Sequence, residues 1–327
     1  MLSSFADCRR QLEAGNLAVL PTETVYGLAA NGVSQSAVEK IFKLKGRPSE
    51  NPVILHIQNI QDASAYADVC DNAKKLANEF WPGPLTIILN KKDIVPGIVT
   101  ANLKTVGLRS PSNTHFQSML DCLEFPLAAP SANPSNRTSP TSAQQVINLF
   151  GSASPPILDG GATDLGIEST IVNLTSSIPC VVRPGHISAT AIEECLGIEV
   201  KSSEKYHDID SSNQISPGSA KLHYAPKTPT HLHLSLLKCI NYDHFTQTEL
   251  IIVPSAIAKE QFNSFPCKIE CFSKNGELKE IAKSFYRKLH EADLANFSKI
   301  HLCLLNEKDE LAIAINDRIS RACGEKS

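Results

Sequence analysis

Lys43, Lys45 and Arg47 stand at alternate positions within Ile41–His56, IFKLKGRPSENPVILH. Gly46 and Pro48 break any helix that precedes them, and Asn51–Pro52 leads into an apolar run, Val53–Ile57, interrupted only by His56. Cations gathered between a helix and a buried strand suit an anionic ligand, because ammonium and guanidinium groups make charge-assisted hydrogen bonds to phosphate and carboxylate oxygens. A solvated charged turn is the alternative, and it stays open for this stretch taken alone. A helix running on through Lys45 would scatter the three cations around its axis. An extended approach to the Gly–Arg–Pro turn would point them the same way, and the anion-loop reading expects that course.

Polar residues recur where apolar runs end: Thr22–Thr24, Arg47–Asn51, Thr105–Arg109, Ser131–Asn133, Ser169–Thr170 and Arg183. Lys45, Arg47, Arg109 and Arg183, with so many hydroxyls, suit a ligand carrying several anionic oxygens. Each Ser or Thr alone is equally a cap or a turn former. No GxxxxGK[ST] phosphate loop, no GxGxxG at a strand–helix junction, no HExxH and no GxSxG occurs. A P-loop, a dinucleotide Rossmann site, zinc hydrolysis and serine acyl transfer are therefore unsupported.

The elements that must hold these residues alternate. A helix capped by Ser3/Ser4 runs to Gly15, and a short strand at Leu17–Leu20 precedes Pro21. A helix from Ser36 to about Leu44, the strand Val53–Ile57, helices near Gln61–Val69 and Asn72–Phe80 and the turn Trp81–Pro84 follow. Strands are expected at Leu85–Leu89, Thr105–Arg109, Pro126–Ala129, Ile171–Leu174 and Cys180–Arg183, with helices at Asn113–Leu123, after Pro140 and up to Leu196. This pattern argues for an α/β domain with a mixed sheet over residues 1–200. Residues 201–229 read as a polar, Ser-rich linker, and 230–327 as a smaller α/β domain with strands at Leu250–Val253 and Ile300–Leu305 and helices at Leu278–His290 and Glu310–Ala322.

The chain has 327 residues, 31 Lys+Arg against 34 Asp+Glu, and a net charge of −3. Bulk electrostatic binding of nucleic acid calls for a basic domain, so any contact with a polyanion should be local. The first fifteen residues lack the apolar core of a signal peptide, and no run approaches the ~20 apolar residues that span a bilayer. Ten cysteines without a CxxC pair suit reduced thiols in a cytoplasmic protein with no membrane partner.

Taken together, PTETVYGL (21–28), KLKGRPSENP (43–52) with His56, WPGPLT (81–86), VGLRSP (106–111), APSANPS (129–135), IESTIV (167–172), VRPG (182–185) and SPG…HYAP (216–226) closely resemble the YrdC-like superfamily, within it the threonylcarbamoyl-AMP synthase family. The linker and the tail DELAIAINDRISRA (309–322) resemble its long form, which implies a C-terminal domain of Rossmann-like topology beside a twisted mixed sheet with a concave basic cavity. The linker departs from the family pattern, where SPGM precedes basic residues; here Ser219–Ala220–Lys221–Leu222 carries one cation.

The resemblance implies an enzyme that makes L-threonylcarbamoyl-AMP from L-threonine, bicarbonate or CO2, and ATP, with Mg2+ accompanying the nucleotide and pyrophosphate released. The product would pass to a transferase that modifies tRNA next to the anticodon. Carried over residue by residue, Thr24, His56, Arg109, Ala129 and Ser169 would face threonine, with Arg109 on its carboxylate. Arg47, Asn51, Thr105, Ser131, Ser139 and Arg183 would line ATP, and Tyr224 would close over it as a lid. Lys45 and Arg47 would supply the charge stabilisation that catalysis needs. No metal ligand is implied. Two other readings remain at this point: a carbamoyl-adenylate former like the YrdC-like module of hydrogenase-maturation proteins, and an RNA-binding module that contacts tRNA directly. The absence of acylphosphatase-like and zinc-finger segments counts against the first, and the net charge counts against the second.

Overall fold

The computed structural model describes residues 2–202, 224–242, 244–306 and 308–324. The expected SPG turn at 216–218, most of the linker and His223 lie outside the described residues. The chain divides into two compact units. The first comprises 1–135, 140–164 and 168–219; the second comprises 136–139, 165–167 and 220–327.

The first unit opens with α1 (Phe5–Glu13), whose N-cap Ser4 accepts from the Asp7 N–H and whose Cys8 and Leu12 are buried. Strands β1 (Ala18–Leu20) and β2 (Gly27–Asn31) pair antiparallel. Then come α2 (Gln35–Lys45), β3 (Leu55–His56), α3 (Ile60–Tyr66), α4 (Asp71–Phe80), β4 (Leu85–Asn90), α5 (Gly97–Thr100), β5 (Thr105–Arg109), α6 (Thr114–Asp121) and β6 (Leu127–Ala128). The unit ends with α7 (Ala143–Phe150), β7 (Thr170–Asn173), β8 (Cys180–Arg183), α8 (Ala189–Leu196) and β9 (Lys201–Ser202). The nine strands form one mixed sheet in the order β1-β2-β6-β3-β5-β4-β7-β8-β9.

Central strands buried on both faces read as continuous apolar runs, as in Leu85–Leu89. One face carries the main core, with Leu28, Leu55, Ile87, Leu108 and Val172 packed under α2, α4 and α8. The other carries a smaller core of Leu20, Phe116, Met119 and Leu127 around α1 and α6. Farther along, Ile54, Ile88 and Ile171 form a separate small cluster.

The extended course expected for Lys43–Arg47 does not occur. Helix α2 continues through Lys45 and stops at Gly46, whose φ of +59° is the left-handed conformation that glycine adopts without strain. The sequence itself carries the reason. Val38, Ile41, Phe42 and Lys45 fall on one helical stripe, so Lys45 follows the buried face while Lys43 points to solvent.

The second unit holds β10 (Thr230–His233), α9 (Leu236–Ile240), β11 (Glu249–Ser255), α10 (Ala256–Glu260), β12 (Lys268–Ser273), α11 (Leu278–Leu294), β13 (Lys299–Cys303) and α12 (Glu310–Ala322). Its four strands are all parallel, in the order β10-β13-β11-β12. Two α/β units, a large mixed sheet and a small parallel one, are the fold class expected from the sequence.

Candidate functional site

The strand order of the first sheet brings a row of polar side chains to one edge. His56 ends β3 and Arg109 ends the parallel strand β5, and the two are direct register partners. The start of β4, antiparallel to β5, sets Thr86 beside them, with Ile87 opposite Leu108. Leu85 pairs with Thr170 at the start of β7, and Ile171 pairs with Arg183 at the end of β8. Directly paired residues point to the same face, so His56, Arg109, Thr86, Ser169 and Arg183 follow one another across consecutive strands.

At one end of this row lies the loop Thr22–Tyr26. Thr22 Oγ1 accepts from the backbone N–H groups of Thr24 and Val25 and donates to Val25 O at 2.6 Å, a local turn that fixes Glu23 and Thr24. Arg109 Nη2 donates to Glu23 Oε1 at 2.7 Å and to Thr24 Oγ1 at 2.9 Å. Glu23 Oε2 accepts from the Ser112 N–H at 3.2 Å. Both members of the Glu23–Arg109 pair are buried, 6% and 5% exposed at the side chain. Arg109 Nε and His56 Nδ1 are buried without a hydrogen-bond partner.

His56 packs at 5.1 Å, ring centre to ring centre, from Phe116. Burial, and after it the charge of Arg109, lowers its pKa from 6.5 to about 3. It is therefore a neutral imidazole at physiological pH. Ala129, buried one strand away, donates its N–H to Ile54 O, so its backbone donor is already engaged. At the other end of the row, Ser169 Oγ lies 2.8 Å from Thr86 Oγ1, and Arg183 Nη2 donates to Ser169 Oγ at 3.0 Å. Arg183 Nε donates to Ser169 O at 3.0 Å. Gly185 is required here, since a Cβ would stand 2.6 Å from Thr170 N.

Lys45 Nζ donates to the carbonyls of Ser131 and Asn133, both at 2.5 Å, and its burial, then Arg47, push its pKa well below the usual lysine range. It ties α2 to the Ser–Ala–Asn loop. That loop is in turn laced to Tyr26–Leu28 by Ala132 N to Tyr26 O and Leu28 N to Pro130 O. Arg47 holds its own turn, donating from Nε to Asn51 O at 3.1 Å and from Nη2 to Pro52 O at 2.8 Å. A cavity opens beside this turn, lined by Pro52, Ile54, Thr86, Ile88, Thr105 and Ile171. Its floor is the isoleucine cluster, and Thr105 and Thr86 give it polar edges.

Among the residues singled out from the sequence, Thr24, His56, Arg109, Ser169 and Arg183 thus share one edge. Thr105 lines the adjacent cavity, and Lys45, Arg47, Asn51 and Ser131 form a neighbouring knot. Ser139 and Tyr224 belong to the second unit. Tyr224 is 1% exposed, with a left-handed φ of 61°. Its ring sits 5.6 Å from that of Tyr286 and 5.7 Å from the Arg318 guanidinium. Two participants were not singled out, Glu23 and Thr86, although both lie inside quoted motifs.

Residues 10–185 match the family model Sua5_yciO_yrdC, described as "Telomere recombination", and residues 187–324 match the model for the threonylcarbamoyl-AMP synthase C-terminal domain. The chain belongs to the Sua5–YrdC family. A threonylcarbamoyl-AMP synthase of Pyrococcus abyssi is 41% identical over 216 residues, 66% of this chain. That match spans 63% of the relative's length, under two thirds of it. The synthase of Schizosaccharomyces pombe is 32% identical over 344 residues, 92% of this chain and 83% of the relative. Among solved structures, P. abyssi Sua5 in complex with L-threonine superposes with a TM-score of 0.83 at 30% identity, covering 98% of this chain and 94% of that one.

Among the described residues no group of three or more His, Cys, Asp or Glu side chains could hold a metal ion, and no helix is long and apolar enough to cross a membrane. Glu23, the carboxylate in contact with Arg109, is already engaged by two donors.

Proposed function

We propose that the chain synthesises L-threonylcarbamoyl-AMP from L-threonine, bicarbonate or CO2, and ATP, releasing pyrophosphate. The observation that carries this reading is the row Thr24–Arg109–His56 beside Ser169–Arg183, in a chain that superposes over 98% of its length on a Sua5 solved with L-threonine. The buried Nε–H of Arg109 and Nδ1 of His56 lack a hydrogen-bond partner, and a buried polar atom of that kind favours a ligand that satisfies it.

In this reading the threonine carboxylate takes the open donors of Arg109, its hydroxyl meets neutral His56, and Ala129 and Ser169 bound the pocket. The threonine amine adds to CO2 with loss of one proton, forming the carbamate N–C bond. A carbamate oxygen then attacks the α-phosphorus of ATP as the bond to the β-phosphate oxygen breaks and pyrophosphate leaves. The chain need supply no covalent nucleophile. It supplies positioning and charge: Arg47 and Arg183 on the phosphates, and Asn51, Thr105 and Ser131 along the nucleotide. Buried Lys45 acts chiefly by holding the Ser131–Asn133 loop in place. Mg2+ would accompany ATP as part of the substrate and would supply charge that offsets the phosphates. The labile anhydride passes to a tRNA-modifying transferase; a direct contact with tRNA belongs to the same proposal.

The test is pyrophosphate release from ATP, Mg2+ and bicarbonate with one amino acid at a time. Release that depends on L-threonine, and falls away with valine or alanine, supports the reading. Release independent of the amino acid ends it.

A further inference from the structure

We propose that Glu23 determines the charge type of ligand that this pocket accepts: paired with Arg109, it selects an amino-acid zwitterion and rejects the matching carboxylate anion. The inference rests on the threonine-site reading above. Arg109 is not a free cation waiting for a carboxylate. Its Nη2 is committed to Glu23 Oε1 at 2.7 Å and Thr24 Oγ1 at 2.9 Å, leaving the Nε–H and the Nη1 N–H groups as the donors open to a ligand. A ligand carboxylate drawn to these donors arrives beside the buried Glu23 carboxylate, where like charges are poorly screened. An anion with nothing to offer Glu23 meets repulsion there. A zwitterion brings an ammonium group as well. Each Glu23 oxygen has accepted one hydrogen bond, from Arg109 or from the Ser112 N–H, and a carboxylate oxygen can accept two. The remaining capacity suits the ammonium, so the ligand's two charges complement the two that the protein has already buried.

The arrangement is specific to this pair. Arg183, the next arginine along the row, donates to Ser169 Oγ and Ser169 O and lies toward the nucleotide in the proposed reading. The Glu23 carboxylate is held at both oxygens, by Arg109 and by the Ser112 N–H, which keeps it beside an incoming anion.

The experiment measures binding to the full chain by calorimetry, with L-threonine and with (2S,3R)-2,3-dihydroxybutanoate, in which a hydroxyl replaces the amine. The native chain should prefer threonine by about thirtyfold or more, the range for close charge pairs in a desolvated site. Glu23→Gln should bring the ratio below about threefold, by weakening threonine and strengthening the anion. Glu23→Asp, which keeps the charge, should retain a preference of about tenfold. A ratio unchanged in Glu23→Gln overturns the proposal, as does a native chain that binds both compounds within threefold. Should Glu23→Gln fail to fold, the native and Glu23→Asp ratios still decide. Binding of neither compound to the native chain would instead remove the threonine reading and this inference with it.

Discussion

His56 and Arg109 are register partners at the ends of two parallel strands, and the arginine helps to keep the histidine uncharged. The pairing joins the Asn–Pro strand to the Val–Gly–Leu–Arg strand at one point of the sheet. It also has a thermodynamic consequence. The folded pKa of about 3 lies below the ordinary 6.5, so between those values the unfolded chain binds the proton and the folded chain does not. The His56 contribution to stability is complete above about pH 6.5 and is lost as pH falls toward 3. His56→Gln should reduce the slope of unfolding free energy against pH in that window by up to one proton, about 1.4 kcal/mol per pH unit. Urea titrations of both proteins between pH 4 and 7 measure the difference; parallel slopes would refute it.

Arg109→Ala should be the most destabilising single change in the row. It leaves the Glu23 carboxylate buried and unpaired, which costs about 3–5 kcal/mol. Denaturant midpoints report the loss. Arg109→Ala/Glu23→Ala, which removes both charges, should recover a large part of it.

Arg47→Ala should lower threonine-dependent turnover by about a hundredfold or more while the chain stays folded. Loss of the bonds to Asn51 O and Pro52 O should cost about 1–3 kcal/mol, because both carbonyls lose a charged donor. Steady-state rates and a melting curve separate the two effects. Full turnover in this variant would take Arg47 out of the reaction.

Lys45→Met keeps length and burial but leaves the Ser131 and Asn133 carbonyls without their donor. The expected loss is about 2 kcal/mol or more, with faster amide exchange at Ala132, whose N–H bonds to Tyr26 O. Exchange unchanged at Ala132 would mean that Lys45 does not hold the loop.

Where local pattern and tertiary need agree, the elements were legible in the sequence. Thr105–Arg109, Cys180–Arg183 and Glu310–Ala322 are found at the positions that their patterns imply. Strand β2, GLAAN, was not, since Gly and Ala carry little strand signal and the segment is ordered by pairing with Ala18–Leu20 and Leu127–Ala128. Thr230–His233 and Lys268–Ser273 were missed for a similar reason: their polar residues hide the alternation, and parallel neighbours far along the chain fix them. Lys45 was misplaced because its charge hid its position on the apolar stripe of α2. Glu23 was visible in its motif, but its partner Arg109 is 86 residues away, and no local pattern reports a buried ion pair closed by the sheet. The polar strand ends could be named one by one; their common edge required the strand order.

The most direct measurement follows isotope-labelled bicarbonate through the reaction with L-threonine, ATP and Mg2+, with mass spectrometry of the nucleotide products. The expected product is an adenylate carrying the labelled carbon and the threonine moiety, formed in equal amount with pyrophosphate. AMP or ADP without the label, at an unchanged rate of ATP consumption when threonine is omitted, would contradict it.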